Sequence, residues 1–312
     1  MNSHNADQLH GPTVVGYFPS LSTTDYRPNL NVHMFTEDIQ LGIMPIGGKS
    51  KRNGDFSITL KGQHLECEKA KKLFSSLHNV DMDDITGGFC DVVEQVAKQL
   101  TWEGCATYEI IPKIDAPAFL YNFTSKNLIE IFKWFIQITP RKDWDVINKK
   151  FTLVPASKIW KIKIPNNLGG TNGYLRTISK LEKYDLLGPK FFQKNIEQYT
   201  QFNAFNFQEY RNISEIFRTQ VTGDWGWNRR DWSQDNTTEF FCFYKKINFL
   251  WAQSVLREHI FYEINLLLKR LDIKCEINIL GLPRSPDILA IKDKLIAGEL
   301  SFAVALDKCS CT

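Results

Sequence analysis

GGFCDVVEQVAKQLTWEGCATYEII, Gly87 to Ile111, carries two periodicities in succession. From Gly88 to Leu100 the apolar residues Phe89, Val92, Val93, Val96, Ala97 and Leu100 recur at i, i+3, i+4, i+7, i+8 and i+11, one face of a 3.6-residue helix. Asp83 and Asp84 stand just ahead of it, where negative charge suits a helix N-terminus. Gly104 interrupts the pattern, and Thr107 to Ile111 reads as a strand. A helix that hands the chain directly to a strand is the seed of a mixed α and β unit.

Working outward, Phe119 to Phe123 reads as a second strand, joined to the first by a turn containing Pro and Asp. A helix is expected from about Asn127, with Asn127 and Glu130 spaced as a capping pair. Thr152 to Ile164 is expected as one further strand, with Trp160, Ile162 and Ile164 on one face and Lys161 and Lys163 on the other. Upstream, the first 30 residues read as an arm and Gly47 to Asp55 as a basic loop, followed by an alternating strand from Phe56 to Leu60. Short strands without a regular βαβ repeat point to an α+β fold, with a mixed domain of roughly 100 residues at its centre.

After Asn166 the texture changes. Residues 166–173 read as a loop, and Leu175 to Gln198 and Phe207 to Phe217 as helical. A Trp-rich, turn-rich segment runs from Gly223 to Asn236. The longest helix is expected from about Lys246 to Leu271, striped by Leu256, Ile260, Ile264, Leu267 and Leu271. A strand, Cys275 to Leu280, and a short helix, Ile288 to Ala297, follow. The expected organisation is an arm and strand-rich segment at 1–80, the α+β domain at 81–165, and a mainly helical region at 166–312.

The chain has 312 residues, 43% of them hydrophobic, which excludes a disordered chain or a fibre. Its 38 Lys and Arg against 35 Asp and Glu leave +3, which argues against a polybasic nucleic-acid binder. No basic start with an apolar core opens the chain and no run of 18 apolar residues occurs, so neither a leader nor a membrane span is expected. A reducing cytoplasm fits seven scattered cysteines that behave as small core residues. Only Cys309 and Cys311 are close, and a zinc site there needs two more ligands.

The near-neutral sum hides a separation. Residues 81–115 carry eight acidic groups and two lysines, and residues 113–163 carry ten basic groups and four acidic. Solvated faces of neighbouring elements explain this most simply. The sharper reading is a contact between subunits, in which Asp83, Asp84 and Glu103 of one copy meet Lys149, Lys150, Lys161 and Lys163 of the next.

Sites for chemistry are few. His78, Asp81 and Asp83 could hold a divalent ion, but carboxylates capping the next helix explain them more cheaply. Asp272, Lys274 and Asp287 supply fragments of a magnesium nuclease site, which needs two converging carboxylates. No metal, cofactor or catalytic residue is expected. In the Trp-rich loop, Trp225, Trp227, Arg229, Arg230 and Trp232 combine stacking faces with cations, a composition suited to DNA or a protein partner. The plainer alternative folds its tryptophans back onto the core.

The order of these pieces resembles a family. Gly104-Cys-Ala-Thr-Tyr108-Glu109-Ile-Ile after an amphipathic helix is similar to the entry into a wing strand of tailed-bacteriophage portal (head-tail connector) proteins. Val154-Pro155 with Lys158 to Ile164 resembles a later wing strand, Leu256 to Leu271 the stem helix, and Gly281-Leu282-Pro283 with Lys294 to Ser301 the approach to the crown. The chain then looks like a short or divergent member, with a wing-like α/β domain followed by a stem-like long helix. The resemblance implies a structural protein and not an enzyme: a ring, usually of twelve subunits, through which double-stranded DNA passes without sequence specificity. It further implies terminase and capsid proteins as partners, and the virion or host bacterial cytoplasm as location. The rivals are a metal-dependent nuclease and an interaction module built on the Trp-rich loop.

Overall fold

The computed structural model describes residues 11–16, 30–45, 56–113, 116–185, 221–223, 225–227 and 239–309. Along the chain these form α1 (Leu30–Ile43), β1 (Ser57–Gly62), α2 (His64–Phe74), α3 (Ile85–Glu103), β2 (Cys105–Lys113), β3 (Ala116–Asn122), β4 (Leu128–Ile131), β5 (Trp134–Ile138), β6 (Phe151–Pro155) and β7 (Ile159–Lys163). They continue with α4 (Gly170–Asp185), α5 (Glu239–Arg270), β8 (Cys275–Leu280), α6 (Ser285–Ile296) and α7 (Phe302–Cys309). The fold is α+β, with small antiparallel sheets and a long C-terminal helix.

α3 begins where the Asp84 carboxylate accepts the Thr86 N–H at 3.1 Å. All six periodic residues, Phe89 to Leu100, are fully buried. Gly104 ends the helix in the left-handed region, φ 76°, and returns its N–H to the Leu100 carbonyl. A Cβ at this glycine would stand 3.0 Å from the Leu175 side chain. β2 leaves in the direction this cap sets and becomes the centre of a sheet ordered β3-β2-β7. Tyr108 pairs with Trp160 across it, their rings 5.1 Å apart.

Two expectations for the following segment are corrected. In place of a helix from Asn127, β4 and β5 form a hairpin in which Glu130 lies opposite Phe135. Asn127 and Phe132 have φ of 66° and 53°, left-handed values at both ends of β4 that a right-handed helix cannot pass through. The single strand expected over 152–164 is two. A 3₁₀ turn at Ala156–Lys158 sends β6 into a second sheet, β4-β5-β6, and β7 into the first. The loop expected over 166–173 also closes early, because α4 starts at Gly170.

α5 spans 32 residues, about 48 Å at 1.5 Å per residue. Leu256, Ile260, Ile264 and Leu267 of the expected stripe are buried, and so are Ala252, Phe261 and Leu268 around them. Burial on several faces makes this helix a central element of the core. Arg257, 2% exposed, donates to the carbonyls of Ile43 and Pro283. Arg270 donates to the Ile159 carbonyl at 2.9 Å, and a His259 ring nitrogen lies 2.9 Å from that of Lys163. β8 returns to pair with β1, Ile58 opposite Ile279. One core holds Val32 and Phe35 of α1, Val96 and Leu100 of α3, and Ile260 of α5. The ranges 1–80, 81–165 and 166–312 are thus joined by a shared core and by the β1–β8 pair. Cys309 is buried with Ile247, Ile288 and Leu295 in a satellite cluster, and Cys311 lies outside the described residues. Among the described residues no helix is long and apolar enough to cross a membrane.

Candidate functional site

The sheet β4-β5-β6 offers the most unusual surface. Its pairing places Ile131, Trp134 and Pro155 in one row, Ile129, Ile136 and Leu153 in the next, and Ile138 beside Phe151 in a third. Directly opposed residues share a face, so every side chain on this face is apolar. The other face carries Phe135 and Val154, which pack with Val14, Phe123 and Ile159 in a small core, together with Leu128, Glu130, Gln137 and Thr152.

That small core is closed by the segment 11–16, held through buried polar groups. The Glu109 carboxylate of β2 accepts the N–H groups of Thr13 and Val14 at 2.8 and 3.0 Å. Gln137 of β5 accepts from the Val15 N–H at 2.8 Å and donates to its carbonyl at 2.7 Å. These bonds satisfy Glu109 and Gln137 within the chain, while the buried Thr152 hydroxyl on the same face has no partner among the described residues. The outer face is open: Phe151 is 61% exposed, Trp134 49%, Leu153 48%, and Phe132 at the hairpin tip 92%. Ile129, Ile131 and Ile138 are 41–51% exposed as well, so seven large apolar side chains stand about half open or more, on the order of 700 Å² of apolar surface in all. That exceeds the largest patch of a typical monomer, about 300–600 Å².

Lys126, Lys133, Lys142, Lys149 and Lys150 are all exposed in and around this sheet. Lys150 lies over the Trp144 ring, 4.9 Å from its centroid, and the Trp144 indole N–H donates to the Thr139 carbonyl at 2.9 Å. Lys161 and Lys163 are differently placed. Both face Glu130, at 3.1 and 3.8 Å, and Lys161 also covers the Phe135 ring. The hydrogen bond from Lys161 holds the Glu130 carboxyl below the usual range, against a smaller opposing effect of burial. Lys161, expected at a subunit contact, has an intramolecular partner and is largely covered.

The acidic residues separate as well. Asp84 is spent as the α3 cap, while Asp83 is exposed. Glu103 accepts from the Thr124 hydroxyl at 2.9 Å and from the Ser125 N–H and hydroxyl at 2.6 and 2.7 Å. Buried Glu109 leaves the surface count altogether. What remains exposed on the acidic side is Asp81, Asp83 and Glu94, with Asp91 half-buried beside them.

Trp225 and Trp227 are corrected as contact residues. They are 1% and 2% exposed, their rings 5.7 and 5.3 Å from Phe35, and the Trp227 indole N–H donates to Asp38 at 2.7 Å. A ring buried this way has no face left for a base or partner. Arg229, Arg230 and Trp232 lie outside the described residues.

The nuclease fragments do not converge. Asp272 follows the end of α5, whereas Ser285, two residues before Asp287, donates to Glu258, 12 residues before that end. Glu258 and the helix end lie about 18 Å apart at 1.5 Å per residue, so the two fragments attach at different heights along the helix. Among the described residues no group of three or more His, Cys, Asp or Glu gathers to hold a metal ion. Asp81 accepts the Asp83 N–H at 2.9 Å, a local turn contact.

Sequence reasoning missed the outer face because a helix was expected across it. The signal was the Ile129, Ile131, Trp134, Ile136 and Ile138 alternation around a two-residue break. No family model matches the chain, and neither a curated protein nor a solved structure matches it.

Proposed function

We propose that the chain is a ring-forming, portal-like structural subunit of a tailed phage or prophage, acting as a conduit for double-stranded DNA. The observation that carries this reading is the meeting of its resembling pieces. Gly104 to Ile111, Val154 to Ile164, Leu256 to Leu271 and the stretch from Gly281 are far apart in sequence. In the fold, β2 pairs with β7, Arg270 and His259 of α5 hold the carbonyls of Ile159 and Lys163, and Arg257 holds that of Pro283. A wing-like sheet, a long helix and the turn after β8 thus form one connected body.

The exposed apolar sheet supports the oligomeric part of the reading, since a surface of that size is stabilised by removal from water. The charge supports the conduit part. Phosphate contacts tighten binding steeply as counterions are released, so a subunit of net +3 suits DNA that must slide. On this reading the subunit acts by position, its partners are its own copies, duplex DNA, terminase and capsid proteins, and it resides in the virion or the host bacterial cytoplasm.

Electron microscopy of the purified chain tests the proposal. Annular particles with a central opening wide enough for a duplex are the expected result; a field of isolated subunits, or of compact dimers without an opening, contradicts it.

A further inference from the structure

The outer sheet face ends in a hairpin tip that is unfavourable in isolation. Phe132 holds an aromatic side chain almost wholly in water, and does so at φ 53°, a conformation strained for a residue with a bulky side chain. Lys133 beside it is exposed. Neither is compensated by a partner among the described residues.

A matching surface lies elsewhere on the same molecule. Between α1 and α3 runs a groove of about 430 Å³, the scale of a pocket that takes a side chain, lined in part by Leu41, Met44, Asp91 and Glu94. Leu41 is 56% exposed for a helix residue of its size. Partial desolvation, and secondarily the nearby Asp91, raises the Glu94 carboxyl. Lys98 lines the same groove, and the ion pairs among the described residues do not include one between it and Glu94. The groove therefore offers an apolar wall and an unmatched acid; the tip offers an aromatic and an unmatched base.

Within one chain the two cannot meet. The tip belongs to the sheet beside the C-terminal end of α5, whereas the groove is formed by α1 and the middle of α3. We propose that the tip of one copy, Phe132 and Lys133, seats in the α1–α3 groove of the next, with the apolar sheet face behind it covering the same neighbour. The occupant is a second copy because one chain carries both complementary halves. The face's roughly 700 Å² approaches the ~800 Å² per partner of a standard interface. Two different patches in contact make a heterologous interface, which repeats around a ring. This deepens the proposed function and rests on its oligomeric part alone; nothing in it requires DNA.

The test uses two variants of the full chain, each changed only at exposed side chains. One spoils the tip (Phe132→Asp with Lys133→Glu) and the other the groove (Leu41→Lys with Glu94→Lys). Circular dichroism checks that both keep the fold, and mass in solution is the readout. Each variant alone should associate at least about 100-fold more weakly than the unaltered chain, the scale of losing a central anchor. Mixed in equal amounts, they should form particles of two subunits, because one intact tip and one intact groove remain. If either variant assembles as the unaltered chain does, the tip-in-groove contact is wrong and the ring reading stands. A mixture that stays as single subunits also overturns it. If the unaltered chain never associates, both proposals fall together.

Discussion

Two antiparallel sheets of three strands each lie next to one another in this chain and meet opposite fates. In β3-β2-β7 the central strand is buried from Cys105 to Ile111, and its neighbours contribute Leu120, Trp160 and Ile162 to the main core. In β4-β5-β6 only one face is covered, by a small cluster and the strap at residues 11–16. The other face is as apolar as an interior and stands in water. The difference teaches that the first sheet is finished by helices of its own chain, whereas the second presents a surface suited to burial against another molecule.

The comparison breaks first if equal truncations cost the same on both sides. Phe89→Ala, beneath the first sheet and packed on Phe74, should lose about 3–5 kcal/mol in urea unfolding. In the dissociated subunit Phe151→Ala, on the open face of the second, should stay within about 0.5 kcal/mol. A loss of several kcal/mol at Phe151 would mean that the face is covered within the chain after all.

The strap sharpens the comparison next. Glu109→Ala leaves the N–H groups of Thr13 and Val14 without their buried acceptor and should cost about 1–3 kcal/mol. Limited proteolysis should then release the 11–16 segment before either sheet is cut; unchanged protection would show that the strap is held by other means. At the junction into the first sheet, Gly104→Ala forces a Cβ into the left-handed region beside Leu175 and should cost about 1–2 kcal/mol. A neutral result in thermal unfolding would remove the argument that this cap aims β2.

The smallest effect is electrostatic. Glu130 is held low by Lys161, so it contributes stability above the ordinary carboxylate range and loses it as pH falls through its lowered pKa. Its side chain is 47% exposed, so solvent screening limits Glu130→Gln to less than about 1 kcal/mol at neutral pH. Unfolding curves of the variant and the unaltered chain should converge in acid; a gap that widens there contradicts the pairing.

The first sheet and α3 were legible because their side chains sort by face. Phe89 to Leu100 keep the helical period, and Ile162 between Lys161 and Lys163 keeps the strand period. α1 carried a similar signal in Val32, Phe35, Ile39 and Ile43, all buried, that polar neighbours such as His33 and Glu37 obscured. The second sheet was illegible for a physical reason. The Phe132–Lys133 tip interrupts the alternation of Ile129, Ile131, Trp134, Ile136 and Ile138, and Leu128, Ile131, Phe135 and Ile138 fall at helical spacing across that break. The positive φ values at Asn127 and Phe132 that rule out a helix are set by pairing that sequence does not display. Trp225 and Trp227 erred the other way: composition suggested an exposed stacking surface, and only the positions of Phe35 and Tyr174 reveal an aromatic core. The charge pattern was half legible, since Glu109 and Lys161 contribute to it in sequence and not at the surface.

The central claim is that this chain is built to be completed by its neighbours. Sedimentation equilibrium of the full chain over a wide concentration range tests it most directly. The account predicts a discrete closed particle of about twelve 36.1 kDa subunits that persists on dilution. A single 36.1 kDa species at every concentration would contradict it.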